Sequence, residues 1–284
     1  MAIQTIGIIG AGTMGNGIAQ ACALSGLAAV MYDIAPAALE RGMATVGRSL
    51  DRLIKKGTMS DADKATVLAR ISTTSELAGI AGADLVLEAA TENEALKIKI
   101  LGQVAALVPA QTIIATNTSS ISITRLAEAS GRPERFVGMH FFNPVPMMAL
   151  VEIISGLRTS QETVAAVTAF AQQLGKTPIG VKNSAGFVVN RILCPMINEA
   201  VFALQEGLAS AEEIDAGMKL GCNHPIGPLA LCDLIGLDVE LAVMEVLYNN
   251  FNDPKYRPAP LLRDMVDAGM LGRKTGRGFY SYQR

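Results

Sequence analysis

The sequence predicts an α/β N-terminal domain with a mostly parallel sheet, followed by an all-α C-terminal domain. Up to Lys182, short apolar runs alternate with amphipathic stretches, which is typical of βαβ units whose sheet is covered on both faces. From Ser184 onward, no run has the length and composition of a strand. We therefore place the boundary within Asn183–Gly186 and predict domains at residues 1–183 and 184–284.

The strands of the first domain are predicted from apolar runs that end in glycine, proline or polar residues. The first run ends in a glycine-rich turn, and the fifth and sixth flank the loop around Pro146. The predicted strands are Thr5–Ile9, Leu27–Tyr32, Asp84–Ala89, Thr112–Thr116, Phe136–Phe142, Ala149–Ile154 and Pro178–Lys182.

The helices are predicted from apolar residues at helical spacing and from capping residues. Pro36 suits a first helical position, Gly57 suits a C-terminal cap, and Ser60 suits an N-terminal cap. In the first domain the predicted helices are Met14–Leu24, Pro36–Lys56, Ser60–Ala69, Ala95–Val108, Ser122–Ala129 and Gln161–Leu174. In the second they are Phe187–Gln205, Ala211–Leu220, Leu229–Asn250 and Leu261–Ala268.

Composition excludes several classes of protein. The 284 residues are 50% hydrophobic and 18% charged, which excludes a disordered chain. The net charge of −2 provides no positive field for nucleic acid or an anionic membrane, and no apolar run approaches the roughly 18 residues of a membrane span. Four scattered cysteines without a CxxC pair, and an N-terminus without a secretory signature, predict a reduced, cytoplasmic protein.

We expect no metal site. The chain has only two histidines, which excludes a His-rich site. Cys222, His224 and Cys232 lie close together in sequence, but their spacing and number fit no standard zinc site.

The run Gly10-Ala-Gly12-Thr13-Met14-Gly15 fits the pattern G-x-G-x-x-G, follows a predicted strand and opens a predicted helix. In such a turn the first glycine allows the tight bend, the second lets a pyrophosphate approach the backbone, and the third lets helix and strand pack closely. Free amide groups at the helix start then face the phosphates. This context predicts a Rossmann-type dinucleotide-binding domain.

Asp33 ends the second predicted strand, about 20 residues further on, where an acid can bind the adenosine ribose hydroxyls. Its carboxylate would repel a 2′-phosphate, and neither Ile34 nor Ala35 supplies a compensating cation. The pattern therefore favours NAD over NADP. The alternative is a structural glycine turn with a surface aspartate.

Polar residues also occur where other predicted strands end, and ligands of such sheets bind beyond the carboxyl ends of the strands. His140 lies near the end of its strand, and Glu152 lies inside an apolar run. If the two runs form a hairpin centred on Pro146, His140 lies directly opposite Glu152. A carboxylate beside an imidazole fixes its tautomer and makes it the kind of base that alcohol oxidation needs. A structural histidine held by a buried acid is equally compatible with the residues alone.

Together, these residues resemble the 3-hydroxyacyl-CoA dehydrogenases. The matching segments are Gly10–Gly15, Asp33, Asn117-Thr-Ser119-Ser120, His140-Phe-Phe-Asn143-Pro-Val145, Glu152, Asn183-x-x-Gly186-Phe-Val-x-Asn190-Arg191 and Gly272–Tyr280. They extend over the whole chain. Its length is similar to that of the single-function bacterial members that act on 3-hydroxybutyryl-CoA.

The resemblance implies an NAD-dependent oxidoreductase that interconverts (S)-3-hydroxyacyl-CoA and 3-ketoacyl-CoA. His140 would act as base in oxidation and as acid in reduction, with Glu152 orienting it. Ser119 and Asn190 would hydrogen-bond the 3-oxygen of the substrate. The other implied contacts, to the cofactor or the thioester, come from Ala89, Glu92, Lys97, Asn117 and Asn143.

Two of these residues have simpler interpretations. Ser119 could be a residue at a helix start. Lys97 could be an exposed helix charge that pairs with Glu94, three residues earlier.

The resemblance also implies phosphate contacts from the helix that ends near Gly57. Arg52 and Lys56 are four residues apart, so they share one helix face that could hold the 3′-phosphate of CoA. A solvated pair of charges at a helix C-terminus is the alternative. The helical domain is expected to close over the acyl-CoA and to form a two-fold homodimer.

Two other functions remain open at the level of sequence. Dehydrogenases of the 6-phosphogluconate or 3-hydroxyisobutyrate type use a lysine base, for which Lys182 is the candidate. A non-catalytic dinucleotide-binding protein is the second. The preferred acyl chain length, the physiological direction and the strictness of NAD over NADP cannot be deduced from sequence.

Overall fold

The structure, a computed structural model, describes residues 3–282. The chain separates into two compact units between Ser184 and Ala185. Within residues 3–282, no helix combines the length and apolar character needed to cross a membrane.

The first unit contains one eight-stranded sheet with the order β3-β2-β1-β4-β5-β6-β7-β8. Its strands are β1 (Thr5–Ile9), β2 (Ala28–Tyr32), β3 (Ile71–Thr74), β4 (Leu85–Glu88), β5 (Ile113–Thr116), β6 (Phe136–Phe141), β7 (Leu150–Ser155) and β8 (Thr177–Lys182). The six strands β1–β6 are parallel to one another; β7 runs antiparallel to β6, and β8 runs parallel to β7. The predicted α/β class with a mostly parallel sheet is confirmed.

Helices cover this sheet, so the central strands are buried and have nearly continuous apolar sequences. The helices are α1 (Thr13–Leu24), α2 (Pro36–Lys55), α3 (Asp61–Ala69), α4 (Glu94–Leu107), α5 (Ile123–Ala129) and α6 (Gln161–Gln173). Pro36 occupies the first turn of α2, and Gly57 follows that helix with a φ of 72°. Ser60 and Asp63 cap α3 reciprocally.

Strand β3 was not predicted. Its sequence, Ile-Ser-Thr-Thr, has only one buried residue, Ile71. The strand lies at the edge of the sheet and pairs only with β2 among the described strands. A short edge strand with polar residues lacks the hydrophobic pattern on which strand prediction depends.

The second unit is helical, as predicted. Its helices are α7 (Val189–Gln205), α8 (Ala211–Gly221), α9 (Pro228–Ile235), α10 (Leu237–Phe251) and α11 (Pro260–Asp267). The prediction of a single helix over Leu229–Asn250 is wrong. Gly236 has a φ of 109°, outside the helical region, and it separates α9 from α10.

Two buried aspartates attach the end of the chain to these helices. Asp215 accepts hydrogen bonds from the first amides of α9, at Leu229 and Ala230, and from the Tyr280 hydroxyl. Asp233 accepts hydrogen bonds from the amides of Phe279 and Tyr280. These hydrogen bonds attach residues 279–280 to α8 and α9, which carry the two aspartates.

Candidate functional site

The glycine turn joins β1 to α1 without space for side chains at two of its glycines. Gly10 has a φ of 98°, and a Cβ on it would lie 2.7 Å from the carbonyl oxygen of Ala89. A Cβ on Gly15 would lie 1.8 Å from the carbonyl oxygen of Gly10. At Gly12, by contrast, a Cβ would meet nothing within 4 Å, so the backbone there is open to a ligand.

The N-terminus of α1 fits the pyrophosphate of a dinucleotide. Gly12 is its N-cap and provides no side-chain hydrogen bond, and the first turn contains no acidic residue. The first amides of the helix, including those of Thr13 and Met14, have no partner within the helix. These donors and the positive end of the helix dipole face the open space beside Gly12, a suitable environment for phosphate.

Asp33 lies directly after β2 and binds the glycine turn. Its Oδ2 accepts a hydrogen bond of 3.0 Å from the amide of Ala11, and its Oδ1 accepts one of 3.0 Å from the amide of Ala35. These two hydrogen bonds are compatible with both predictions, a cofactor-binding turn and a structural glycine turn. Each carboxylate oxygen retains a lone pair that could accept a ribose hydroxyl.

The β6–β7 hairpin has the predicted register, with His140 directly opposite Glu152. Nδ1 of His140 lies 2.7 Å from Oε2 of Glu152. Both residues are buried, Glu152 completely. The imidazole also packs against Phe142, with 4.6 Å between ring centroids. His140 is the second-last residue of β6, so it lies at the same carboxyl edge of the parallel strands as the glycine turn.

Asn117 connects the ends of the strands beside His140. Its Oδ1 accepts a hydrogen bond of 2.9 Å from the amide of Phe141, and its own amide donates to the carbonyl oxygen of Glu88 at 2.7 Å. These bonds link β4, β5 and β6 where each of them ends. Asn117 therefore contacts the residue that follows His140 in β6.

Glu92 binds the loop after β5. Its Oε1 accepts hydrogen bonds from the hydroxyl of Thr118, from the amide of Ser119 at 2.9 Å and from the hydroxyl of Ser120 at 3.0 Å. Partial burial acts to raise the pKa of Glu92, but nearby Lys97 and these donors outweigh it and lower that pKa. Glu92 is therefore a carboxylate that holds Ser119 at the edge of the sheet.

Lys97 is buried, so its interpretation as an exposed charge paired with Glu94 is wrong. Its ammonium lies 2.8 and 2.7 Å from the two carboxylate oxygens of Glu88 and 3.5 Å from Glu92. Glu94 pairs instead with Arg125. Glu88 also accepts hydrogen bonds from the Thr116 hydroxyl and the Ala90 amide. Glu88 was not among the predicted site residues, although a glutamate at the end of an apolar strand indicates such a site.

The remaining predicted site residues are spread over other elements. Asn143 is exposed in the loop after β6, and Asn190 lies in the first turn of α7, in the helical unit. Arg52 lies in the last turn of α2 and Lys56 is its C-cap residue, both exposed. Lys182, the alternative base, is exposed at the end of β8.

Comparison with known proteins identifies the family of both units. Residues 5–184 match the model for the NAD binding domain of 3-hydroxyacyl-CoA dehydrogenase, and residues 186–282 match the model for its C-terminal domain. The solved structure of (S)-3-hydroxybutyryl-CoA dehydrogenase PaaH1 from Ralstonia eutropha is 66% identical. It covers 100% of both chains, with a TM-score of 0.97.

Two relatives of similar length agree with these matches. A probable 3-hydroxybutyryl-CoA dehydrogenase of Deinococcus radiodurans is 54% identical over 276 residues, which are 97% of this chain and 99% of the relative. The 3-hydroxybutyryl-CoA dehydrogenase of Bradyrhizobium diazoefficiens is 50% identical over 281 residues, 99% of this chain and 96% of the relative. The predicted oxidoreductase class and NAD cofactor are confirmed, and the chain belongs to the 3-hydroxyacyl-CoA dehydrogenase family.

Proposed function

We propose that this protein interconverts (S)-3-hydroxybutyryl-CoA and acetoacetyl-CoA, with His140 and Glu152 as its acid/base pair. The observation that carries the proposal is the 2.7 Å contact between His140 Nδ1 and Glu152 Oε2 at the carboxyl edge of the sheet. The names of the relatives support the choice of substrate.

The pair explains how a proton can be removed from the 3-hydroxyl group. Nδ1–H of His140 donates a hydrogen bond to Glu152, so Nε2 is the ring nitrogen that takes the proton of the substrate hydroxyl. When Nε2 takes that proton, the buried carboxylate of Glu152 stabilises the imidazolium. A bound NAD would supply the acceptor for the hydride that leaves C3. In the reverse direction His140 returns the proton to the 3-oxygen.

The other predicted residues complete the proposal. Ser119 and Asn190 hydrogen-bond the 3-oxygen, and Asn143 fixes the imidazole and the thioester. Glu92, Lys97 and Asn117 contact the nicotinamide, a role that the family resemblance supports; of the three, Lys97 is buried and its ammonium binds both oxygens of Glu88. Arg52 and Lys56 bind the 3′-phosphate of CoA.

We further propose a cytoplasmic homodimer formed through the helical unit. Large apolar side chains are exposed on that unit, including Ile192, Leu208 and Leu220. Their exposed fractions of 67%, 79% and 87% favour a partner surface over solvent. In this proposal the first unit binds the nucleotide, and the second unit binds the substrate and forms the dimer.

Turnover of 3-ketoacyl-CoA thioesters of increasing length, with NADH and with NADPH, tests the proposed function. We expect kcat/KM to be greatest with acetoacetyl-CoA and NADH, because the carboxylate of Asp33 disfavours a 2′-phosphate. Loss of absorbance at the NADH band is the measurement. Absence of turnover in a protein that demonstrably binds NADH would instead favour a dinucleotide sensor.

A further inference from the structure

The loop between β6 and β7, residues 142–149, connects the strand that carries His140 to the strand that carries Glu152. We propose that Lys176 is a positioning residue for the reaction proposed above: it fixes this loop and thereby the alignment of His140 with Glu152. The inference rests on the proposed function, because it concerns the acid/base pair of that reaction.

Lys176 reaches two backbone carbonyls of the loop. Its Nζ donates hydrogen bonds of 2.6 Å to the carbonyl oxygen of Val145 and of 2.8 Å to that of Met148. The loop itself contains one turn, in which the amides of Met147 and Met148 both donate to the Pro144 carbonyl. Backbone hydrogen bonds already close this turn, and the ammonium adds two contacts that attach it to the residue just before β8.

The lysine projects from a fixed backbone. The amide of Lys176 donates to the carbonyl oxygen of Ala171 in α6, and that of Thr177 donates to the carbonyl oxygen of Ala149 at 2.7 Å. Partial burial lowers the pKa of Lys176. Two carbonyl oxygens replace the water that the ammonium loses on partial burial. This contact is therefore specific, unlike that of a surface lysine whose charge is solvated.

The opposite side of the loop is fixed by α1, the helix that begins at the glycine turn. The Val145 side chain is buried, and a Cβ on Gly17 would lie only 3.0 Å from Val145 Cβ. The loop is therefore held between α1 and Lys176. Without the ammonium, one of these two attachments is lost close to the hairpin end where His140 meets Glu152.

The test compares Lys176→Met with Lys99→Met, which removes an exposed lysine from α4. Lys176→Met retains the length of the side chain and loses both hydrogen bonds. We expect kcat to fall by roughly tenfold or more, as a small misplacement of catalytic groups does, while the KM for NADH changes less than twofold. Lys176→Arg should recover most of kcat, since its guanidinium offers several donors to the same carbonyls.

A second measurement separates positioning from general stability. Amide hydrogen exchange at Met147 and Met148 should be faster in Lys176→Met than in Lys99→Met, while exchange within β1 and β4 stays the same. If kcat in Lys176→Met lies within twofold of the control, or Lys176→Arg loses as much as Lys176→Met, the assignment is wrong. If Lys176→Met does not fold, Lys176→Gln replaces it, with the same expected loss and the same contradicting result.

The reference variant is His140→Gln, which distinguishes the two proposals. Turnover that survives His140→Gln would contradict the proposed function itself. Turnover that is lost in His140→Gln and unaffected in Lys176→Met would contradict only the role of Lys176.

Discussion

Asp33 holds the glycine turn and, in our proposal, also selects the cofactor. Asp33→Asn removes the negative charge and keeps one acceptor oxygen, so one of the two amides, of Ala11 or Ala35, retains its hydrogen bond. We expect the ratio of kcat/KM for NADPH to that for NADH to rise by roughly tenfold, equivalent to about 1.4 kcal/mol of relieved repulsion. The KM for acetoacetyl-CoA serves as the control and should remain unchanged. An unaltered cofactor ratio would mean that the ribose is recognised elsewhere.

Some residue contacts could be predicted from sequence and others could not. The contact of His140 with Glu152 follows from a short hairpin, because the loop fixes which residues lie opposite each other. Lys176 lies 31 residues from Val145, and Thr116 lies 28 residues from Glu88. Such contacts depend on how strands are ordered in the sheet and on which side chains meet there, and neither is encoded by local spacing.

At the scale of elements, helix α10 contains a feature that the mechanism does not use. Glu240, in its first turn, is buried, and neither of its carboxylate oxygens has a hydrogen-bond partner within residues 3–282. Burial raises the pKa of Glu240 to about 8, and the neighbouring Cys194 thiol opposes this effect only in part. The helical unit therefore holds a carboxylic acid that is largely protonated at neutral pH.

This raised pKa predicts a loss of stability with rising pH. The folded state keeps a proton that the unfolded state releases near pH 4.5. The contribution of Glu240 to the free energy of unfolding is therefore full below that pH, and it is lost as pH rises through about 8. Between these two pH values the free energy of unfolding falls by roughly 1.4 kcal/mol per pH unit. Urea unfolding of Glu240→Gln should lack this slope, whereas Glu199→Gln, an exposed change on α7, should retain it. Equal slopes in all three proteins would contradict the assignment.

The prediction of elements succeeded where apolar periodicity and capping residues agreed. The start of α2 at Pro36 and the reciprocal cap of α3 at Ser60 were both visible in the sequence. The division between α9 and α10 was not, because apolar residues continue through Gly236 at helical spacing. A single glycine is compatible with a continuous helix, and only tertiary packing determines that its φ leaves the helical region.

At the scale of the whole molecule, alternating strands and helices followed by helices alone sufficed to predict the fold class. The pattern indicated a mostly parallel sheet, and β1–β6 are parallel. It gave no strand order, because the position of each strand depends on crossover connections between distant segments. The function needed the combination of the glycine turn, Asp33 and the His140–Glu152 hairpin, since each motif also occurs in unrelated proteins.

The most direct test of the account is the turnover of acetoacetyl-CoA with NADH by the variant Glu152→Gln. This change retains the size of the side chain and removes the charge that orients His140. We predict that NADH and acyl-CoA still bind while kcat falls by roughly 10²–10⁴-fold. A folded Glu152→Gln variant with the kcat of the unaltered protein would contradict the proposed mechanism.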